Sequence, residues 1–340
     1  MTVPALRALR QLLPEAHITL ATRSFAKGIF AGADFIDDLL VYDQGTSLFG
    51  RVLARAREWR NRRFDLAILF PNSFEAAVVA RLGGANLRIG YASEGRRFLL
   101  SHALDLPVWR EARHESFYYL NIIAELEQLL RGQSAILEQE PVVDLSVSKD
   151  RQADAIAFLH ELGVREGRPL IAICPGSINS RAKRWPAERY AALADRFIDE
   201  LCAEVVLIGS ADELDVSEDV IRHMRQQPIL LTGKTDLVVA VAILNQVELL
   251  VTNDTGPAHI AAALGRPTLV IFGPTNPLTT RPLSPLAEVV RYPPDCAPCM
   301  LRDCPIDHRC MTAITPADMF ERAAKVLGKS PESDKLQFVV

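Results

Sequence analysis

Residues 247–265 read VELLVTNDTGPAHIAAALG. The first five form a short strand, "VELLV" (247–251). Polar and turn residues follow, and then a small-residue helix that carries His259. Pro257 suits the first position of that helix. A strand that runs through a turn directly into a helix is the unit from which parallel sheets are built.

The same unit recurs in both directions. On the second half, "PLIAICPG" (169–176), "AEVVLIGS" (203–210), "PILLTG" (228–233) and "PTLVIFGP" (267–274) read as further strands. "SKDRQADAIAFLHELGV" (148–164) and "PAERYAALADRFIDEL" (186–201) have helical spacing. On the first half, "HITLAT" (17–22), "LLVYD" (39–43), "FDLAILF" (64–70) and "LRIGYA" (87–92) alternate with helical stretches at 47–63 and 73–84. The pattern restarts after residue 145, and the polar "EQEPVVDLSVSKD" (138–150) reads as a linker. The expected class is α/β with two parallel sheets. Residues 1–145 would form one domain, 146–328 a second, and 329–340 a loose tail.

Composition bounds the function. The chain has 340 residues, about half of them hydrophobic, and a net charge of −4. That near-neutral balance gives no support for nucleic-acid binding. No apolar run reaches the roughly 18 residues that span a bilayer. The start, "MTVPALRALRQLLP", reads as an amphipathic helix and not as a signal peptide. The default compartment is therefore the cytoplasm.

Open parallel sheets bind ligands outside the carboxyl ends of their strands. Four second-half loops lie there. "CPGSINSRAKRWP" (174–186) offers Gly176 for close backbone approach, small polar groups at Ser177, Asn179 and Ser180, and cations at Lys183 and Arg184. A diphosphate needs that set, although a solvated basic loop reads the same. In "GSADELDV" (209–216), Glu213 or Asp212 can hold ribose hydroxyls, or simply cap a helix. At 252–259, Asp254 or Thr255 can cap the following helix while Gly256 gives a tight turn. The helix end favours an anion, and Asp254 suits sugar hydroxyls beside it. His259 reads alone as a packed or capping residue. "FGPTNP" (272–277) adds a fourth turn with hydroxyls.

Two decoys fall away. "TGKTD" (232–236) resembles a P-loop end, but position 228 is Pro where that motif needs Gly. No G-x-G-x-x-G follows a strand, which weakens a nicotinamide-dependent epimerase or dehydrogenase.

"KRWP" (183–186), "GKTDL" (233–237), "NDTGPAHIAAALGRPTLVIFGPTNP" (253–277) and "CAPCMLRDCPIDHRCM" (296–311) together resemble the ADP-heptose:lipopolysaccharide heptosyltransferases, glycosyltransferase family 9. The Cys-rich piece is most similar to the heptosyltransferase II branch. "PALRALRQLLPEAHITLAT" (4–22), "LFPNSFEAA" (69–77) and "RIGY" (88–91) match the family's first domain. The resemblance implies two Rossmann-like domains in glycosyltransferase-B architecture with an interdomain cleft. The donor would be ADP-L-glycero-D-manno-heptose and the acceptor a heptosylated, Kdo-bearing lipid A core. Transfer would invert the anomeric carbon with no metal or other cofactor.

Carried over by resemblance, Lys183 contacts the donor diphosphate and stabilises the leaving group. Glu213 meets the ribose and Asp254 the heptose, while Ser177, Thr255, Gly256 and His259 complete the donor pocket. Asn72 and Ser73 are acceptor-side candidates, or helix caps. Arg96 and Arg97 are candidates for acidic groups, or a solvated loop. Because the acceptor is lipid-anchored, peripheral contact with the inner membrane is expected. Family members begin with a strand and a Gly-Asp loop before the "MTxPALRAL" helix, and that Asp is the expected base. Here Met1 opens the helix, so the first strand is read as absent and the base stays unassigned. An active enzyme and a truncated, inactive sugar-nucleotide-binding homologue both stay open.

Cys296, Cys299, Cys304 and Cys310, with His308 among them, have the spacing C-x2-C-x4-C-x5-C. Four thiolates that close can bind a structural zinc. Reduced packing cysteines, another redox state and a mobile loop are the other readings.

Overall fold

The computed structural model describes residues 1–42 and 48–329. From residue 330 onward the expected tail lies outside the described residues. Contacts divide the chain into two compact units: residues 1–24 with 34–142, and residues 25–33 with everything from 143 onward.

The first unit holds α1 (Val3–Leu12), β1 (Thr19–Arg23), β2 (Asp38–Tyr42), α3 (Leu48–Arg62), β3 (Leu66–Leu69), α4 (Phe74–Leu82), β4 (Leu87–Tyr91), β5 (His102–Leu104) and α5 (Glu115–Arg131). All strand pairs are parallel, in two sheets ordered β1–β2 and β3–β4–β5. Among the described residues β1 and β3 each pair on one side only. Thr19–Ala21 and Leu66–Ile68 instead line one cavity of about 480 Å³ with Leu6, Leu9 and Leu13. Thr19 Oγ1 is buried there without a partner. α5 has no counterpart among the helices read from sequence. It buries Phe117, Tyr118, Leu120, Ile122, Ile123 and Leu126, and packs on α1 and β4.

The short helix α2 (Lys27–Phe30) leaves the first unit and joins the second. It packs on α9 (Leu237–Leu244), where a side chain at Gly28 would collide with the backbone of Leu237 and Val238. Arg151 ties the excursion down through the carbonyls of Ala31 and Val238 at 3.1 and 2.8 Å.

The rest of the second unit comprises α6 (Lys149–Glu161), β6 (Leu170–Cys174), α7 (Ala187–Leu201), β7 (Glu204–Leu207), α8 (Leu214–His223), β8 (Ile229–Leu230), β9 (Leu249–Asn253), α10 (Gly256–Ala263), β10 (Thr268–Ile271), α11 (Pro277–Thr280), β11 (Ala287–Val290), α12 (Arg309–Thr312) and α13 (Pro316–Val326). Its six parallel strands run β8–β7–β6–β9–β10–β11. Every residue of β6, β9 and β10 is buried, as expected of strands covered on both faces. α7 packs Tyr190, Leu193, Phe197 and Leu201 against one face. Each such large side chain contributes about 1.5–3 kcal/mol on burial. Strand order reverses between β6 and β9, and in open parallel sheets the carboxyl ends at such a switch point are where ligands bind.

Candidate functional site

The loops after β6 and β9 are held together by one side chain. Asn253, fully buried at the end of β9, accepts from Trp185 N and Tyr190 Oη through Oδ1, both at 3.0 Å. Its Nδ2 donates to the carbonyls of Pro175 and Gly176 at 2.8 and 3.1 Å. All four hydrogen-bonding sites of the amide are thereby engaged. The staple fixes where residues 177–184 lie relative to Asp254.

Asp254 is buried, and its Oδ2 accepts from two donors. Lys183 Nζ lies 2.8 Å away and Thr275 Oγ1 also 2.8 Å away. Lys183 reaches the Asp254 carbonyl as well, at 3.2 Å. Three loops, after β6, β9 and β10, thus converge on one carboxylate. The Lys183 side chain keeps 25 % exposure, so the ammonium can still meet a ligand. The sequence named Lys183 and Asp254 without joining them, and Thr275 only as a loop hydroxyl.

Glu213, and not Asp212, is the inward carboxylate after β7; Asp212 is exposed. Its Oε2 accepts from Ser210 N and Ser210 Oγ, both at 2.9 Å, which closes a capping box. A methyl group at Gly176 would overlap Glu213 Oε1, so glycine is what lets the β6 loop lie on this carboxylate. The capping that was one reading of this carboxylate is therefore made, by Glu213. Nearby, Cys174 is a free thiol pushed up to about 12, chiefly by burial and then by Glu213.

At the start of α10, the capping expected of Asp254 or Thr255 is not made. Thr255 occupies the N-cap position, but its side chain makes no cap bond. Thr255 Oγ1 lies instead 3.2 Å from Thr252 Oγ1. Asp254 is turned to Lys183 and Thr275. A side chain at Gly256 would meet nothing within 4 Å, so open space faces the helix end. His259 is half-buried one turn on. Ser177 is buried, with its carbonyl accepting from Arg184 Nε and Nη2 at 3.2 and 3.1 Å. Asp236 of "GKTDL" caps α9 through Val239 N at 2.8 Å.

In the first unit, Ser73 caps α4 by accepting from Ala76 N at 3.3 Å. Asn72 donates to Tyr118 Oη at 2.7 Å and accepts from Arg96 at 3.1 Å. Arg96 is no solvated loop residue: it is fully buried and donates to the carbonyls of Tyr91, Pro71 and Ser73. Burial holds its guanidinium below the usual arginine range. Arg97 is exposed and pairs with Asp105.

Cys296, Cys299, Cys304 and Cys310 are free thiols around one apolar cavity of about 70 Å³, shared with His308, Ala182 and Pro274. Among the described residues no three His, Cys, Asp or Glu side chains are arranged to hold a metal ion. Burial pushes the Cys310 thiol up, as do the three neighbouring thiols. His308 turns to the Ala182 carbonyl, 2.6 Å from Nε2.

The profile of glycosyltransferase family 9 (heptosyltransferase) matches residues 52–309. The chain is 30 % identical to lipopolysaccharide heptosyltransferase 2 of Escherichia coli over 297 residues, 84 % of this chain and 82 % of that protein. It is likewise 30 % identical to lipooligosaccharide heptosyltransferase 2 of Haemophilus ducreyi, over 83 % and 82 %. In three dimensions it is similar to E. coli ADP-heptose lps heptosyltransferase II, with a TM-score of 0.82 over 96 % of this chain and 94 % of that one, at 28 % identity.

Proposed function

The chain belongs to glycosyltransferase family 9, the heptosyltransferases, and from that premise we propose that it transfers heptose from ADP-L-glycero-D-manno-heptose to the heptosyl-Kdo-lipid A inner core of lipopolysaccharide. The convergence of Lys183 and Thr275 on the buried carboxylate of Asp254, at the switch point of a six-stranded parallel sheet, carries this reading. A sugar nucleotide needs a cation for its diphosphate beside a carboxylate for its sugar, and these loops supply both within one hydrogen-bonded set.

In the proposed mechanism an acceptor hydroxyl attacks the anomeric carbon as the bond to ADP breaks, in a single step, and gives up its proton to a base that stays unassigned. Negative charge grows on the leaving diphosphate, where Lys183 and the open amino end of α10 stabilise it. Thr275 and Lys183 hold Asp254 so that its other oxygen faces the heptose hydroxyls. Glu213, set by its capping box, meets the ribose. Ser177, Gly256 and His259 line the same pocket. The second unit is assigned to the donor and the first to the acceptor, with Asn72 and Ser73 on the acceptor side. An inactive sugar-nucleotide-binding homologue is the less favoured reading, because the similarity to heptosyltransferases runs over more than four fifths of the chain.

No helix among the described residues is long and apolar enough to cross a membrane. For a lipid-anchored acceptor, the proposal includes cytoplasmic placement with peripheral contact at the inner membrane.

The test is calorimetry with ADP-heptose on the chain and on Asp254→Ala. Micromolar binding that falls sharply in the variant is expected. A folded chain that ignores ADP-heptose would overturn the donor assignment.

A further inference from the structure

The Cys-rich segment has no part in the chemistry above, yet it touches both loops that grip Asp254. Ser180 Oγ lies within hydrogen-bond distance of the carbonyls of Leu301 and Arg302, at 3.3 and 3.2 Å. Ala182 N donates to the Arg302 carbonyl at 2.9 Å, and Arg181 pairs with Asp303 at 2.6 Å. His308 Nε2 is 2.6 Å from the Ala182 carbonyl. A carbonyl can only accept, so Nε2 carries the proton. On the other loop, Met300 N donates to the Pro274 carbonyl at 2.9 Å. A methyl group at Gly273 would overlap Met311 Sδ, so the segment also seals against that turn. These contacts fall one to three residues before Lys183 and one or two before Thr275, the two donors to Asp254 Oδ2.

We propose that residues 296–311 form a positioning arm of the donor site, and that His308 is the positioning residue through which the arm sets Lys183. The proposal rests on the donor assignment made above. Lysine is a flexible four-carbon stem, so its ammonium is placed only as well as its backbone is. Ala182 is the buried centre of a single 3-10 turn, Arg181–Lys183, and its carbonyl orientation fixes the direction in which the next side chain leaves. His308 holds that carbonyl from outside the turn. The thiols surround the cavity behind it and keep the arm apolar where it meets Ala182 and Pro274. The arm touches no reacting atom and acts only through the loops.

The experiment compares the intact protein with His308→Ala and His308→Gln, by ADP-heptose calorimetry, steady-state kinetics and melting temperature. His308→Ala is expected to weaken donor binding and lower kcat by about tenfold or more, as misplacement of a charge-stabilising group does. KM for the acceptor should not move. His308→Gln should recover most of the loss, since its amide N–H can reach the same carbonyl. Donor affinity unchanged in His308→Ala overturns the arm. So does a loss that glutamine leaves unrescued and that tracks a fall in melting temperature. Should His308→Ala fail to fold, Ser180→Ala removes one hydroxyl from the same contact, and indifference there overturns the arm equally. If the intact protein itself ignores ADP-heptose, the donor assignment fails first and takes this inference with it.

Discussion

Asp254 Oδ2 accepts from a charged and a neutral donor at the same distance, and the two should be separable. Thr275→Val removes a hydroxyl and keeps the shape. A lost hydrogen bond to a charged group costs about 1.5–3 kcal/mol, so kcat/KM should fall roughly 10- to 150-fold. On the proposed mechanism Lys183→Ala removes leaving-group stabilisation and should lower kcat by about 100-fold or more. Because both donors share one oxygen, the double variant should lose less than the product of the two single losses. Initial-rate kinetics on the three variants decides this; multiplicative losses would mean that Thr275 and Lys183 act independently. Gly176 gives a third case. Alanine there meets Glu213 Oε1, so Gly176→Ala should weaken ADP-heptose binding while Gly256→Ala, which faces open space, keeps the fold.

Pairs of neighbouring elements explain what the sequence could and could not disclose. The β9–α10 junction was legible because every signal in it is local: an apolar run, a polar turn, then Gly-Pro. The bond from Thr275 to Asp254 was not, because it depends on β10 lying beside β9, a pairing that no local pattern states. α5 was missed because "FYYLNIIAEL" is apolar on most sides and shows no clean helical stripe; α1 and β4 together cover it. The cysteine spacing was visible, but the apolar cavity that the four side chains line was not. The α3–α4 pair supports a pH prediction. Arg51 and Arg55 both donate to Glu75, at 3.1 and 2.9 Å, across the two helices. The Arg51 hydrogen bond holds the Glu75 carboxyl below its ordinary value, against the opposing effect of burial. A depressed carboxyl stabilises the fold above its unfolded value, and that contribution is lost as pH falls through the folded one. Glu75→Gln should therefore melt lower at neutral pH, by an amount worth about 1 kcal/mol or less for a half-buried pair at the surface. The gap should close in acid below the usual glutamate range. A gap that is constant with pH, read by thermal melts, would assign the loss to packing.

For the molecule as a whole, the net charge of −4 opposes an anionic membrane, so any docking must be local and partly apolar. The first unit offers such a place. Phe74 opens α4 and Phe98 follows β4; both are exposed, and their rings lie 6.2 Å apart. The buried guanidinium of Arg96 donates to the Ser73 carbonyl, one residue before Phe74, and its other acceptors are carbonyls and an amide oxygen, with Glu94 near enough to act on it electrostatically. The amino end of α4 adds positive character close by, and the Glu75 carboxylate in its first turn is paired by Arg51 and Arg55. Exposed aromatics over a positive potential are what an anionic bilayer surface selects. Phe49 lies in the first turn of α3, whose amino end lies near that of α4 because Arg51 and Arg55 both reach Glu75. The protein should therefore co-sediment with phosphatidylglycerol vesicles at low salt and less with phosphatidylcholine vesicles. Salt should weaken that binding without abolishing it, since apolar insertion is not screened. The double variant Phe74→Ser/Phe98→Ser should lose vesicle binding, keep ADP-heptose affinity, and slow transfer to a vesicle-borne acceptor while sparing a deacylated one. Equal slowing on both acceptors would instead put the two phenylalanines in acceptor binding proper, and unchanged co-sedimentation would remove this edge from the membrane contact.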